Sequence, residues 1–173
     1  AAVRPQWLGE AIEVPVSGRD LMLAIDLSGS MEQTDFELGG TVVDRLTATR
    51  HVADQFIARR AGDRIGLILF GRQAYLQVPL TFDRETVRTL LDEAVIGLAG
   101  KETAIGDAIG LAVKRLSATS SSQQVLILIT DGANTAGEIQ PLTAAELAAR
   151  AGLRIHTIGV GAETMPVPSL FGS

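Results

Sequence analysis

The sequence predicts an α/β domain with a doubly wound, mostly parallel central sheet, helices on both faces and one antiparallel edge strand. Three observations support this fold class. Short apolar runs alternate along the chain with segments of helical period. Apolar residues make up 46% of the chain and aromatic residues only 4%, which is typical of a parallel sheet with a core of Val, Ile, Leu and Ala. A length of 173 residues suits one domain with a sizeable core.

Five strands are predicted from apolar runs that end at polar or glycine residues. In chain order they are "LMLAID", "DRIGLILF", "AYLQVPL", "QQVLILIT" and "RIHTIGVG". Only "GRQ" joins the second run to the third, which predicts an antiparallel hairpin. Pro79 suits an edge strand or a strand end, because proline cannot donate to a neighbouring strand.

Four helices are predicted from apolar spacing and end signals. The first covers residues 42–60, and its apolar stripe consists of Val42, Leu46, Val52, Phe56 and Ile57. Thr81 or Asp83 caps the second helix, and Thr103 is the predicted N-cap of the third. The fourth has Pro141 in its first turn, where the missing N–H of proline is no loss.

Charge and composition exclude several classes of function. The 15 Lys and Arg against 20 Asp and Glu give a formal net charge of -5, which disfavours binding to nucleic acid or to an anionic membrane. The absence of cysteine excludes disulfides, thiolate zinc sites and thiol nucleophiles. No apolar run approaches the roughly 18 residues that span a bilayer, so we expect a soluble chain, either whole or part of a longer protein.

Polar side chains follow three of the predicted elements. Asp26, Ser28 and Ser30 come directly after the first strand, Thr103 precedes the third helix, and Asp131 follows the strand "VLILI". In an open parallel sheet, ligands bind in a crevice at the carboxyl ends of the strands. We therefore expect these carboxylates and hydroxyls to meet in one crevice.

An all-oxygen site of this kind suits a hard divalent cation. Mg²⁺ is the first candidate, with Mn²⁺ or Ca²⁺ as alternatives, because such ions prefer oxygen ligands. Hydroxyls are neutral, so a metal held largely by Ser28, Ser30 and Thr103 would keep most of its positive charge. Such a metal is expected to attract a carboxylate from elsewhere.

Residues 20–161 resemble the von Willebrand factor A (VWA) family. The pattern Asp-x-Ser-x-Ser over 26–30, Thr103 before a helix, and Asp131 followed by glycine are similar to the metal-ion-dependent adhesion site (MIDAS) of that family. The resemblance implies a Rossmann-like fold and a binding module without catalytic residues. It also implies that the hydroxyls ligate the metal directly, that the two aspartates act through bridging waters or directly, and that a partner's acidic residue takes the sixth position.

A closer resemblance is to the bacterial aerotolerance (Bat) group of VWA proteins. It rests on the stretches "LAIDLSGSM", "GDRIGLILFGRQAYLQVPLTFD", "TAIGDAIGLAVKRL", "ILITDGANTAGEIQPLTAAELA" and "IHTIGVG". In that group the VWA domain lies between membrane-spanning segments in the cell envelope, and the genes accompany a MoxR-type AAA+ ATPase. The resemblance implies a soluble domain of a bacterial inner-membrane protein, on the periplasmic rather than the cytoplasmic side, with other Bat proteins and such an ATPase as partners.

The expected boundaries are an N-terminal extension over residues 1–19, the VWA-like domain over 20–161 and a tail over 162–173. The family continues after "IHTIGVG" with a variable loop, a further strand and a last helix, which we expect to be missing here. The last strand would then have a free edge, which is a route to self-association.

Two rival interpretations of the site stay open at the level of sequence. A haloacid-dehalogenase-type phosphatase also carries a nucleophilic aspartate after its first strand, which would be Asp26. Lys101 and Asp131 would assist it, but that class needs a second aspartate where this chain has Ser28. The other rival is a structural VWA domain whose metal site is vestigial.

Other enzymatic patterns are weak. His51 and His156 are isolated and are interpreted as structural. A Ser-His-Asp hydrolase would need Ser28 in a G-x-S-x-G elbow, and Asp26 stands in place of its first glycine. No phosphate-binding G-x-x-x-x-G-K-[ST] or G-x-G-x-x-G motif follows a strand, so the signature of nucleotide binding is missing.

Two further groups of residues have interpretations that the structure can test. Glu32, Asp35 and Glu37 are either solvated loop residues or groups that modulate access to the metal. Gly106 and Gly110 lie four positions apart in the third helix and are interpreted as letting that helix lie closely on the sheet.

Overall fold

The structure, a computed structural model, describes residues 18–119, 121 and 123–161. The predicted extension over 1–19 lies outside the described residues except for its last two positions, and the predicted tail over 162–173 lies outside them entirely. In chain order the described strands are β1 (Asp20–Asp26), β2 (Phe36–Leu38), β3 (Thr41–Val43), β4 (Arg64–Phe70), β5 (Ala74–Thr81), β6 (Gln124–Thr130) and β7 (Arg154–Gly159).

Five of these strands form the central sheet, in the order β5-β4-β1-β6-β7. β5 runs antiparallel to β4, and the other neighbouring pairs are parallel. The predicted mostly parallel sheet with one antiparallel edge strand is confirmed. Residues 71–73 make the short β4–β5 connection, and Pro79 lies exposed in the edge strand, as predicted. Among the described strands, β7 forms the opposite edge.

The described residues contain four α-helices, α1 (Arg45–Ala58), α2 (Arg84–Asp92), α3 (Ile105–Ser117) and α4 (Pro141–Arg150). Residues of α1 and α2 share one hydrophobic cluster with Leu23 and Ile25 of β1. Residues of α3 and α4 share a second cluster with Met22 and Ala24. Successive strand side chains point to opposite faces of a sheet, so β1 is buried on both faces and helices cover both sides.

The first helix begins three residues later than predicted. The Asp44 side chain accepts a hydrogen bond from the Thr47 backbone N–H at 2.6 Å, which satisfies a donor that a helix start leaves free. Val42 lies before this cap and is 62% exposed. The prediction that Val42 belongs to the apolar stripe of the helix was wrong, because the capping aspartate sets the boundary.

Residues 36–43 form a small hairpin that the sequence reasoning missed. β2 and β3 pair antiparallel and are separate from the central sheet. Gly39 and Gly40 make the turn with φ angles of 58° and 84°, which residues with a side chain rarely adopt. Each strand has three residues, too few for an alternating pattern to be recognised.

The caps of the later helices were predicted in part. Asp83, one of the two predicted candidates, caps α2 by accepting from the Thr86 N–H at 3.1 Å, and Pro141 opens α4. Thr103 is not the cap of α3, because Ala104 occupies that position. None of the described helices has the length and apolar character that crossing a membrane requires.

Candidate metal centre

Asp26 ends the central strand β1 and is fully buried. One carboxylate oxygen accepts from the Ser28 backbone N–H at 2.8 Å, and the other accepts from the Thr130 hydroxyl at 2.6 Å. Burial raises the pKa of Asp26, and the hydrogen bonds from Ser28 and Thr130 oppose that effect. The carboxylate thereby orients the backbone that leaves the strand. Sequence reasoning did not single out the hydroxyl of Thr130 for this role.

Ser28 and Ser30 place two hydroxyls side by side. Their Oγ atoms are 3.2 Å apart, and the Ser30 hydroxyl donates to an oxygen of Asp131 at 2.7 Å. Ser28 is 1% exposed, while Ser30 lies in a short 3-10 helix, Gly29–Glu32, and is half-buried. The Ser28 end of the predicted site is therefore buried, and the Ser30 end lies closer to solvent.

Thr103 is buried and is held in place through its backbone. Its N–H donates to the Thr135 hydroxyl at 2.8 Å, and its carbonyl accepts from the backbone N–H groups of Thr135 and Ala136 at 2.8 and 3.1 Å. The Gly29 N–H donates to the Lys101 carbonyl at 3.1 Å. The loops that carry the serines, Thr103 and Asp131 are therefore bonded to one another in pairs.

The loop after β6 is also fixed to the beginning of α3. Asn134 accepts a hydrogen bond from the Ile105 N–H at 2.8 Å and so supplies the cap of that helix. Asp107 accepts from the N–H groups of residues 138 and 139, both at 2.9 Å. These bonds hold the segment that carries Asp131 close to the segment that carries Thr103.

Gly106 permits this close approach. A Cβ atom at Gly106 would lie 1.9 Å from the carbonyl oxygen of Ile139, and one at Gly110 would lie 2.8 Å from the Ile139 side chain. Both glycines therefore face the loop after β6. The prediction that they let α3 lie closely on the sheet was wrong.

Arg45 is the main residue of the site that the sequence reasoning missed. Its guanidinium donates to Asp131 at 2.8 Å and to both oxygens of Asp35 at distances from 2.6 to 3.1 Å. The hydrogen bond with Arg45 lowers the pKa of Asp35, and pairing with Asp35 and Asp131 raises the pKa of Arg45. Arg45 is the first residue of α1, the helix that follows the loop of Ser28 and Ser30. Its place at the start of this helix was the feature of the sequence that could have indicated that it lies at the carboxyl ends of the strands.

The donor set fits a hard divalent cation. Neighbouring oxygens around an octahedral Mg²⁺ lie about 2.9 Å apart, given metal–oxygen distances of about 2.0 to 2.1 Å, and the two serine hydroxyls are close to this spacing at 3.2 Å. Within residues 18–119, 121 and 123–161, no three His, Cys, Asp or Glu side chains form a metal-binding group. Such a group is not required, because three of the five predicted ligands are hydroxyls.

The remaining candidates lie outside this cluster. Glu32 and Glu37 are exposed, whereas Asp35 is connected to Asp131 through Arg45. His51 and His156 are also exposed, and His51 contacts Gln55 on its own helix. The two histidines therefore have no part in the cluster around Asp26.

A cavity of about 490 Å³ lies elsewhere in the fold. Its walls include Arg19, Gln124 and Arg154, which stand at the amino ends of β1, β6 and β7. Ligands of open α/β sheets bind at the opposite edge, beyond the carboxyl ends of the strands. The size of this cavity is therefore a weaker indication of a ligand site than the buried carboxylates and hydroxyls at the carboxyl ends of the strands.

The fold and the site define a VWA domain. The family model of the von Willebrand factor type A domain matches residues 20–167, and the chain belongs to this family. An uncharacterised protein of Borreliella burgdorferi is 30% identical over 145 residues, which cover 84% of this chain and 41% of that protein. The chain thus spans less than half the length of this curated relative.

Solved structures of Bat-type proteins are similar to this chain. An aerotolerance-related membrane protein from Bacteroides fragilis is 28% identical, with a TM-score of 0.75 over 90% of this chain and 74% of that one. BatB from Bacteroides thetaiotaomicron is 29% identical, with a TM-score of 0.73 over 82% and 66%. A membrane-spanning protein from Vibrio fischeri is 52% identical, with a TM-score of 0.58 over 90% and 76%.

One more distant structure carries a metal. Proximal thread matrix protein 1 from the mussel byssus has zinc in its MIDAS motif. It is 22% identical, with a TM-score of 0.69 over 84% of this chain and 36% of that one. At this identity the likeness shows a shared fold and no more.

Proposed function

We propose that this domain is a metal-dependent protein-interaction module that binds an acidic residue of a partner protein. Ser28, Ser30 and Thr103 would hold the metal through their hydroxyls, with Asp26 and Asp131 behind them. Mg²⁺ is the preferred ion, with Mn²⁺ or Ca²⁺ as alternatives. The bound metal would act as a Lewis acid toward the carboxylate of the partner.

The observation that carries the proposal is the hydroxyl pair of Ser28 and Ser30, 3.2 Å apart and backed by two aspartates. Each aspartate already accepts two hydrogen bonds inside the protein, Asp26 from Ser28 and Thr130, and Asp131 from Ser30 and Arg45. Their charge is therefore partly compensated by the protein itself. A metal at this site would stay electron-poor and would favour an external carboxylate.

Membership of the VWA family supports a role in protein interaction. The mussel protein, which shares the fold, has zinc in its MIDAS motif, and residues 26–30, Thr103 and Asp131 of this chain resemble that motif. The likeness to Bat-type proteins supports a cell-envelope setting, since two of the similar structures are of membrane proteins. We infer that the domain acts on the periplasmic side of an inner-membrane protein. Its partners would be other Bat proteins and a MoxR-type AAA+ ATPase.

The phosphatase interpretation receives no support from the geometry of Asp26. A nucleophilic carboxylate must present a free oxygen to its substrate. Asp26 is fully buried, and both of its oxygens accept hydrogen bonds from within the protein. We therefore interpret Asp26 as a group that orients the site.

Calorimetric titration of the chain with Mn²⁺ and Mg²⁺ tests the metal. Ser28→Ala should abolish binding, whereas Ser117→Ala, a serine at the exposed end of α3, should leave it unchanged. Relaxation of water protons by bound Mn²⁺ then tests the open position. Adding acetate should displace metal-bound water and reduce the relaxation enhancement. Binding that persists in Ser28→Ala, or no binding at millimolar metal, would favour the vestigial interpretation.

A further inference from the structure

Arg45 stands between two carboxylates at the edge of the candidate site. Its guanidinium contacts Asp131 at 2.8 Å and Asp35 at 2.6 Å, and the side chains of these three residues are 13%, 0% and 23% exposed, respectively. The Asp131 carboxylate is thus removed from water. A carboxylate in such a position requires a counter-charge or strong hydrogen bonds.

Arg45 supplies that counter-charge in the described part of the chain. Asp131 has one oxygen bonded to the Ser30 hydroxyl and the other to the guanidinium. Lys101 is a basic residue of the loop that carries Thr103. Its side chain is exposed, and within the described residues no ion pair of its ammonium group is seen. The charge of Asp131 is therefore compensated by groups of the protein itself.

We propose that Arg45 is an internal counter-ion of Asp131 that stabilises the metal-free site and weakens the hold of the site on a divalent cation. This inference rests on the proposed function, since it concerns the same metal. A cation that approaches Asp131 also approaches the guanidinium, and like charges repel. Asp35 reduces this repulsion, because it pairs with the same guanidinium on its other side.

The proposal assigns opposite effects to two residues that contact each other. Removing the charge of Arg45 should strengthen metal binding, because a cation is lost and two carboxylates are released. Removing the charge of Asp35 should weaken it, because the guanidinium keeps its full charge beside Asp131. If Arg45 and Asp35 merely held the loop in shape, both substitutions would weaken metal binding.

The experiment compares the wild-type chain with Arg45→Gln and Asp35→Asn by calorimetric titration with Mn²⁺ at low ionic strength. We expect the dissociation constant to fall about tenfold in Arg45→Gln and to rise several-fold in Asp35→Asn. Arg50→Gln is the matched control. It removes the same charge from the same helix, where Arg50 donates to the backbone carbonyls of residues 92 and 94, and it should leave the dissociation constant within about twofold of wild type.

Thermal unfolding supplies an independent measurement. In chelator, Arg45→Gln should have a lower melting temperature than wild type, because Asp131 loses its counter-charge. Added Mn²⁺ should raise the melting temperature of Arg45→Gln more than that of wild type, because tighter binding stabilises the folded state further. Ser28→Ala combined with Arg45→Gln should abolish this rise.

The possible failures are distinguishable. Wild-type binding without tightening in folded Arg45→Gln would overturn this inference and leave the proposed function standing. No binding by wild type or by any variant would overturn both. If Arg45→Gln fails to fold, unchanged or tighter binding in Asp35→Asn still contradicts the proposal.

Discussion

The hydroxyl of Ser30 donates a hydrogen bond to the carboxylate of Asp131 at 2.7 Å, across 101 positions of the chain. This bond joins the loop after β1 to the loop after β6, which are the carboxyl ends of two neighbouring strands. The same hydroxyl lies 3.2 Å from the hydroxyl of Ser28, so it is held between Ser28 and Asp131. The bond can form because β1 and β6 are neighbours in the sheet, and it fixes two of the candidate metal ligands, Ser30 and Asp131, next to each other.

Ser30→Ala should separate folding from metal binding. The loss of one partly exposed hydrogen bond should lower the free energy of unfolding by about 1 kcal/mol, while Mn²⁺ binding should be lost with the hydroxyl. Denaturant unfolding and calorimetric titration measure the two effects. Ser117→Ala serves as control and should retain metal binding, because the Ser117 hydroxyl donates to the Val113 carbonyl of its own helix, α3. Full metal affinity in Ser30→Ala would remove this residue from the set of ligands.

Asp26→Asn should stabilise the metal-free protein at neutral pH. Burial raises the pKa of Asp26 above 3.8, so the folded state keeps this proton at pH values where the unfolded chain has lost it. The contribution of the group to stability is complete below the unfolded pKa and is lost as the pH rises through the folded pKa. Asparagine carries no charge, so the variant does not lose stability in this way as the pH rises.

Denaturant unfolding in chelator at a series of pH values checks the effect of Asp26→Asn. The difference in free energy of unfolding between the variant and wild type should grow in favour of the variant as the pH rises above 3.8. A difference that stays constant with pH would contradict a raised pKa. The same variant should lose metal binding, because the negative charge behind the serines is gone.

Asn134→Ala should weaken both the fold and the site. It removes the side chain that caps α3 at 2.8 Å, and the loss of a cap costs about 0.5 to 2 kcal/mol. Since this bond also holds the loop of Asp131 close to Thr103, metal affinity should fall. Asp83→Ala is the matched control, because Asp83 caps α2 away from the site. It should lower stability by a similar amount with unchanged affinity, and equal losses of affinity in both variants would argue against a positioning role of Asn134.

Gly106→Ala should be strongly destabilising. The added methyl group would overlap the Ile139 carbonyl oxygen, which lies 1.9 Å from the position of the new Cβ. Overpacking against backbone costs about 1 to 3 kcal/mol, occasionally more. Gly161→Ala is the control, because among the residues that the structure describes no atom lies within 4 Å of its added Cβ. Denaturant unfolding compares the two, and equal stability of both variants would show that the loop can move aside.

Local pattern was sufficient to predict most of the architecture. Short runs rich in apolar residues identified the five strands of the sheet, and the three-residue connection after β4 predicted its antiparallel neighbour. The hairpin over 36–43 was missed because its strands are too short to show a period. The start of α1 was misplaced because Val42 continues the apolar spacing beyond the true cap, Asp44.

The sequence by itself determined which polar residues stand at the carboxyl ends of the strands and before α3, because that placement depends only on the order of apolar and polar segments. The five predicted ligands follow from it, and their role with a metal stays a prediction. Only the tertiary structure decided which side chains face them. Contacts between segments distant in the chain bring Thr130, Arg45 and Asn134 to the site. Such contacts produce no periodic pattern in the sequence.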